Sequence, residues 1–165
     1  MKSKIIKIFM QICFAIYLLA LLYLLFLKGI LMRGSRIETI EDYGFWQGIK
    51  WCINLVPFRT ISDYIERMDA ISINSIHDFA FQNLMGNIIL FVPMGVFLPY
   101  FSYKQRKFLK FFVTALIMIF CIEIIQLITL LGACDIDDLL LNLIGSCIGF
   151  GIFYFIKPIL LQKNN

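Results

Sequence analysis

The stretch CIEIIQLITLLGACDIDDLLLNLIG (residues 121–145) sets Glu123 inside one apolar run and opens the next run with the acidic turn DIDD (135–138). A carboxylate inside an apolar, membrane-length segment is costly, and such a group usually faces a partner or a water-filled cavity. We therefore interpret the rest of the chain as a scaffold that holds a polar cluster at one side of a membrane.

The composition is that of a membrane protein. The chain has 165 residues, of which 61% are hydrophobic and 16% are charged, whereas soluble domains are about 45–50% apolar and about 25% charged. The net charge of +4 is carried by short basic clusters between apolar runs, which favours contact with anionic membrane lipid. No basic stripe or aromatic-basic motif predicts nucleic-acid binding.

The apolar runs predict an all-α, polytopic membrane protein with a single domain over residues 1–165. About twenty helical residues cross a bilayer core, at about 1.5 Å per residue. Asp135 is expected to cap the last helix, because its side chain can accept from the free amides of the first turn. Lys157–Pro158 is expected to end that helix. The expected transmembrane helices cover about 8–27, 79–101, 111–131 and 138–156, with an external loop over about 29–78.

The basic residues predict the orientation. Lys2, Lys4 and Lys7, the turn SYKQRKFLK (102–110), and the lysines near the C-terminus all fall on one side of a four-helix arrangement. The positive-inside rule places that side, and hence both termini, in the cytoplasm. The loop 29–78 also contains lysine and arginine, which weakens the contrast between the two sides.

In this arrangement the carboxylates and amides of several helices reach about the same depth. Asn83 and Asn87 share one face of the second helix because they are four residues apart. The candidate ligand-binding residues are Asn54, Asn87, Glu123, Gln126, Asp135, Asp138 and Asn142.

Three interpretations of this cluster remain open. The groups can simply hydrogen-bond across helices, or they can line an outward-facing pocket for a polar headgroup. Alternatively, Glu123, Asp135 and Asp138 hold a divalent cation such as Mg²⁺ or Ca²⁺ in an enzyme, although no EF-hand spacing is present. Because helices two to four carry no basic residue in their outer halves, Glu123 is expected to be protonated, to be hydrated, or to face a cation supplied by a ligand.

The aromatic-rich segment before the second helix also has alternative interpretations. Residues 43–58 (YGFWQGIKWCINLVPF) can form an interfacial helix and turn, since aromatic rings favour the membrane–water boundary. Alternatively, residues 54–58 fold back and cover the polar cluster. Whether Cys52 and Cys134 pair is also left open, because the five cysteines have no recognisable spacing.

The motifs resemble the VanZ-like family over roughly residues 50–150. The resemblance is carried in order by NLVPF (54–58), NIILFVPMG (87–95), IEIIQ (122–126) and GACDIDDLLLNLIG (132–145). Where some members carry an arginine before the first aspartate, this chain has Ala133–Cys134. The resemblance supports the candidate residues above and gives Asp137 no special role.

The resemblance implies a small multi-pass protein of the bacterial cytoplasmic membrane, of a kind linked to resistance to glycopeptide antibiotics, teicoplanin above all. The expected function is binding of a lipid-anchored or cell-envelope ligand, such as a cell-wall precursor or a lipoglycopeptide. The alternative is a membrane enzyme, metal-assisted, that acts on a lipid-linked envelope intermediate. The sequence predicts neither the ligand nor the oligomeric state.

Overall fold

The computed structural model describes residues 2–27, 44–63 and 76–161, with side chains from 4–27, 44–63 and 84–161. The expected grouping of Asn83 with Asn87 therefore lies outside the described side chains. In chain order the elements are α1 (Lys2–Leu22) with a π-helical turn (Tyr23–Leu27), α2 (Phe45–Trp51), β1 (Ile53–Asn54), α3 (Ile76–Phe101), a 3₁₀ turn (Tyr103–Arg106), α4 (Phe108–Ile128), β2 (Cys134–Asp135) and α5 (Ile136–Leu160).

Within the described ranges, four helical spans are long and apolar enough to cross a membrane: Lys4–Leu27, Leu84–Phe101, Phe108–Ile128 and Ile136–Leu160. The predicted all-α, multi-span fold class is thereby confirmed. The external position of the connection between the first two spans stays a prediction.

A buried left-handed residue ends α4 before the acidic turn. Leu130 has φ 54°, and its amide donates to the Leu127 carbonyl while the Leu131 amide donates to the Gln126 carbonyl. This pattern is a Schellman motif, which normally has glycine at the left-handed position. Leu130 is only 3% exposed, so burial of its side chain offsets the steric cost of about 1–2 kcal/mol for that backbone conformation.

The last helix begins as predicted and ends later than predicted. The Asp135 side chain caps α5 by accepting from the Asp137 amide at 2.8 Å. The helix continues past Pro158 to Leu160, so the predicted end at Lys157–Pro158 is wrong. A proline in the final turn removes one amide donor, and this loss is small enough for the helix to finish its last turn.

Helices α3 and α5 form the closest contact in the bundle, with backbone directly against backbone. An added Cβ would lie 2.0 Å from the Ile88 carbonyl oxygen at Gly145 and 1.9 Å from the Val92 carbonyl oxygen at Gly149. The absence of a side chain at these two glycines therefore lets the neighbouring helix approach closely. Gly95 on α3 makes the reciprocal contact, because a Cβ there would lie 2.0 Å from the Ser146 carbonyl oxygen.

The two ends of the bundle differ in charge. The Phe14 and Phe101 rings lie 5.1 Å apart, and the Tyr154 hydroxyl donates to the Arg106 carbonyl. The first contact places the middle of α1 beside the end of α3, and the Gln126 contact with Leu25 places the end of α1 at the acidic end. The start of α1 therefore lies at the same end as the basic turn and the end of α5, and these segments contain Lys4, Lys7, Lys104, Lys107, Lys110 and Lys157. The acidic turn before α5 lies at the opposite end.

We expect Gly149→Ala to destabilise the protein, because the new methyl group would overlap the Val92 carbonyl. Overpacking of this kind costs about 1–3 kcal/mol, and the Tm in detergent should fall. Gly151→Ala is the matched control, since nothing lies within 4 Å of a Cβ there. Its Tm should stay the same or rise slightly, because alanine is the better helix former. Equal Tm values for the two variants would contradict the close contact.

Candidate functional site

A polar cluster lies at the end of the bundle opposite the basic turn, and residues 52–61, here called the cover segment, fold over it. The cover segment pairs in parallel with the acidic turn through Ile53 with Cys134 and Asn54 with Asp135. The Cys134 amide donates to the Cys52 carbonyl at 2.7 Å. The chain thus has both elements considered for this region, the short helix α2 and the segment that folds back.

Asp135 uses both of its carboxylate oxygens to join the cover segment to the start of α5. Its Oδ1 accepts from the Asp137 amide at 2.8 Å. Its Oδ2 accepts from the Thr60 hydroxyl at 2.5 Å and from the Asn54 side-chain amide at 3.2 Å. The Asn54 amide also donates to the Thr60 hydroxyl oxygen at 2.9 Å. Asp135 is therefore both the helix cap and an attachment point for the cover segment.

Asp137 is fully buried and holds the cover segment by its backbone. Its Oδ1 accepts from the Phe58 amide at 2.6 Å and its Oδ2 accepts from the Ile61 amide at 3.2 Å. Residues 59–63 form a helical turn, and a carboxylate is favourable at the free amides that begin a helix. We call Asp135 and Asp137, with their partners on the cover segment, the clasp.

The expectation that Asp137 has no special role is wrong. Its partners are 76 and 79 residues away in the sequence, so no local pattern identifies them. A signal was present in the helical spacing, because Asp137 stands four residues before Leu141, which is also buried. Two residues four apart share a helix face.

Beneath the clasp lies a pair of buried side chains, Glu123 and Asn142, here called the inner pair. They are 3% and 2% exposed. The Asn142 amide donates to Glu123 Oε1 at 3.4 Å, which is long for a hydrogen bond. Among the described residues, Glu123 Oε2 and Asn142 Oδ1 have no hydrogen-bond partner. The inner pair therefore has more acceptor atoms than donors.

Asp138 lies next to the inner pair. Its Oδ1 accepts from the Asn87 side-chain amide at 2.5 Å, which joins α5 to α3. The Asp135 backbone amide faces Glu123, and the carboxyl groups of Asp138 and Asp135 are near enough to act on it electrostatically. Three carboxylates are thus close enough to repel one another at this end of the bundle.

The Gln126 side chain points away from the polar cluster. Its amide donates to the Leu25 carbonyl at 3.1 Å, in the π-helical turn that follows α1. The structure therefore places Gln126 as a link between α4 and the first span. The other six candidate residues lie in or directly beside the cluster: Asn54, Asn87, Glu123, Asp135, Asp138 and Asn142.

The candidate metal ligands do not gather into one ligand set. In the part of the chain that the structure describes, no group of three histidine, cysteine, aspartate or glutamate side chains is arranged to hold a metal ion. Asp135 is already engaged by Thr60 and Asn54, whereas Glu123 faces Asn142.

Cys52 and Cys134 are both free thiols beside the clasp. Burial raises the pKa of the Cys134 thiol, and the negative charges of Glu123 and Asp135 raise this pKa further. Cys134 therefore reports on whether the cover segment is closed.

These features define a multi-span membrane protein with an acidic cluster buried at one end of a helical bundle. A family model described as VanZ/LLP1 matches residues 14–157, and the chain therefore belongs to the VanZ/LLP1 family. It is 26% identical over 158 residues to Protein VanZ of Enterococcus faecium, covering 96% of this chain and 81% of that protein. No solved structure matches the chain. The family resemblance carried by the sequence motifs is confirmed.

We expect Asp137→Asn to release the cover segment, because an amide group places an N–H donor where the carboxylate accepts from Phe58 or Ile61. A hydrogen bond to a charged group contributes about 1.5–3 kcal/mol, so the open fraction should rise about tenfold or more. Release would expose Cys134 and lower the pKa of its thiol. Both changes increase the reactive thiolate at neutral pH and accelerate labelling by a maleimide.

The measurement is the rate of maleimide labelling in a background in which the other cysteines are replaced: Cys13, Cys52, Cys121 and Cys147. Asp63→Asn is the charge-matched control, because Asp63 is exposed at the end of the same helical turn. Its labelling rate should equal that of the background protein. An unchanged rate for Asp137→Asn would show that this carboxylate does not hold the cover segment closed.

Proposed function

We propose that this protein binds a lipid-anchored or cell-envelope ligand at the inner pair, on the outer side of the bacterial cytoplasmic membrane. By holding that ligand it lowers susceptibility to glycopeptide antibiotics such as teicoplanin. Membership of the VanZ/LLP1 family supports the link with glycopeptide resistance. We propose a cell-wall precursor or a lipoglycopeptide as this ligand.

The observation that carries the proposal is the difference between two parts of one cluster. In the clasp, all four carboxylate oxygens of Asp135 and Asp137 accept hydrogen bonds. In the inner pair, one oxygen of Glu123 and one of Asn142 have no donor among the described residues. A buried polar atom without a partner costs about 1–3 kcal/mol. A ligand that brings its own donors would complete the inner pair, as the cover segment completes the clasp.

Exposed side chains of α2 and of the cover segment support a route for that ligand from the membrane surface. Trp46, Trp51, Leu55 and Phe58 are all more than half exposed, and aromatic side chains of this kind favour the headgroup region of a bilayer. Because Glu123 is nearly inaccessible, a ligand reaches it only when the clasp opens. The cover segment thus connects the membrane surface with the inner pair, and its opening would give a ligand access to Glu123.

The charge difference between the two ends supports the proposed orientation. The end formed by the start of α1, the basic turn and the end of α5 carries most of the lysines in the described segments. Basic residues favour the cytoplasmic side. The cluster and the cover segment then face outward, and both termini face the cytoplasm.

The proposal predicts that expressing the protein in a susceptible Gram-positive host raises the minimal inhibitory concentration of teicoplanin. Glu123→Ala should return that concentration to the value of the empty-vector strain, because it removes the unpaired acceptor. Asp63→Asn should keep the wild-type value. Membrane amounts of each variant are compared by immunoblot, so that loss of protein is distinguished from loss of function. Resistance that persists after Glu123, Asp135 and Asp138 are all neutralised would overturn the proposal.

Mass spectrometry of lipids that copurify with the protein separates binding from the enzymatic alternative. A stoichiometric lipid of unchanged mass, absent from Glu123→Ala, supports binding. Time-dependent conversion of an added envelope lipid would instead identify an enzyme, and inhibition of that conversion by EDTA would identify a required divalent cation.

A further inference from the structure

We infer that the inner pair recognises a primary ammonium group on its ligand. The inference rests on the proposed function, since it concerns the same site, and it names the chemical group that the site accepts.

The charge on the helices around the inner pair disfavours an anionic group as the part that is recognised, and Arg59, the basic residue of the cover segment, is exposed. Residues 111–156 contain Glu123, Asp135, Asp137 and Asp138 and no lysine or arginine. The hydrogen bonds to these carboxylates come from side-chain amides, a hydroxyl and backbone amides. A phosphate or carboxylate placed there would meet the acceptor oxygens of several carboxylates, whereas a cation would be attracted to them.

The unpaired atoms require donors and supply none. Glu123 Oε2 and Asn142 Oδ1 are both acceptors and both are buried. A primary ammonium group is compact and presents three N–H donors, two of which match these atoms. The third N–H donor would face Asp138, whose Oδ1 already accepts from the Asn87 side-chain amide.

Other cations fit less well. A quaternary ammonium group has no N–H donor, and proteins recognise such groups with aromatic side chains. The residues that meet in the inner pair are a carboxylate and an amide. A guanidinium group is planar and pairs best with both oxygens of one carboxylate, whereas Oε1 of Glu123 already accepts from Asn142.

The competing explanation is a proton on Glu123, which would let the neutral acid donate to Asn142 Oδ1. Glu123→Gln separates the two explanations. Glutamine has the shape of the protonated acid and keeps a donor for Asn142, but it has no charge. If the site only holds a proton, Glu123→Gln leaves ligand binding as it is in the wild type. If the site binds an ammonium group, Glu123→Gln weakens binding about tenfold or more, as expected for the loss of a charge-assisted hydrogen bond.

The experiment uses the full chain in nanodiscs of phosphatidylglycerol, to which a small fraction of phosphatidylethanolamine or of N-acetyl-phosphatidylethanolamine is added. The two lipids share the phosphate and acyl chains and differ in the primary ammonium group. Native mass spectrometry counts the lipids retained by each chain. The fluorescence of Trp46 and Trp51, the two tryptophans of the sequence, reports movement of α2 beside the cover segment.

We expect the wild type to retain phosphatidylethanolamine in preference to its N-acetylated form by about tenfold or more. Glu123→Gln should lose the preference, and Asp63→Asn should keep it. A second arm adds soluble glucosamine in place of the amine lipid. Binding of glucosamine but not of N-acetylglucosamine, again dependent on Glu123, supports the ammonium group and assigns it to a ligand that is not a lipid headgroup.

Equal retention of both lipids together with equal binding of both sugars would overturn the inference, as would a preference that survives Glu123→Gln. These results leave the proposed function separately testable. If Glu123→Ala still abolishes resistance, the ligand is held by groups other than an ammonium. If Glu123→Ala leaves resistance intact while the amine preference is present, the site binds amines but the proposed role in resistance is wrong.

Discussion

The two hydrogen bonds from the Phe58 and Ile61 amides to Asp137 are the interaction on which the acidic end of the bundle depends. A fully buried carboxylate is stable only if donors reach both of its oxygens, and here the donors come from a distant loop. Closing that loop also brings Asn54 and Thr60 to Asp135. The need to satisfy one carboxylate therefore determines where the cover segment lies.

The same accounting of donors distinguishes two parts of the cluster. The clasp provides a donor for each of its carboxylate oxygens, and it joins two parts of the chain. In the inner pair, Glu123 Oε2 and Asn142 Oδ1 have no donor in the part of the chain that the structure describes. A fold tolerates such a deficit where a ligand completes it, as at binding sites that sacrifice some stability. Because the clasp closes over the inner pair, loss of the Asp137 hydrogen bonds would uncover Glu123 and Asn142.

Close packing of α3 against α5 sets the geometry beneath the clasp. Gly145 lies against the carbonyl of Ile88, the residue that follows Asn87, and this contact brings the Asn87 amide to Asp138. A larger residue at Gly145 would move the two helices apart and break this polar contact. The polar cluster and the glycine contacts thus form one unit, although they use different physical interactions.

The sequence by itself determined the spans, the cap and most of the polar residues that meet. Hydrophobic run length predicts the helices, Asp135 is placed as a cap by its position before an apolar run, and Gly145 and Gly149 share a stripe on α5 with Asn142. These are local properties, readable from neighbouring residues. Only the tertiary structure decided that Gln126 binds the Leu25 carbonyl, 101 residues away, and that Asp137 holds the cover segment from 79 residues away. Such partners depend on which loop folds over which helix end, and helical periodicity contains no information about that choice.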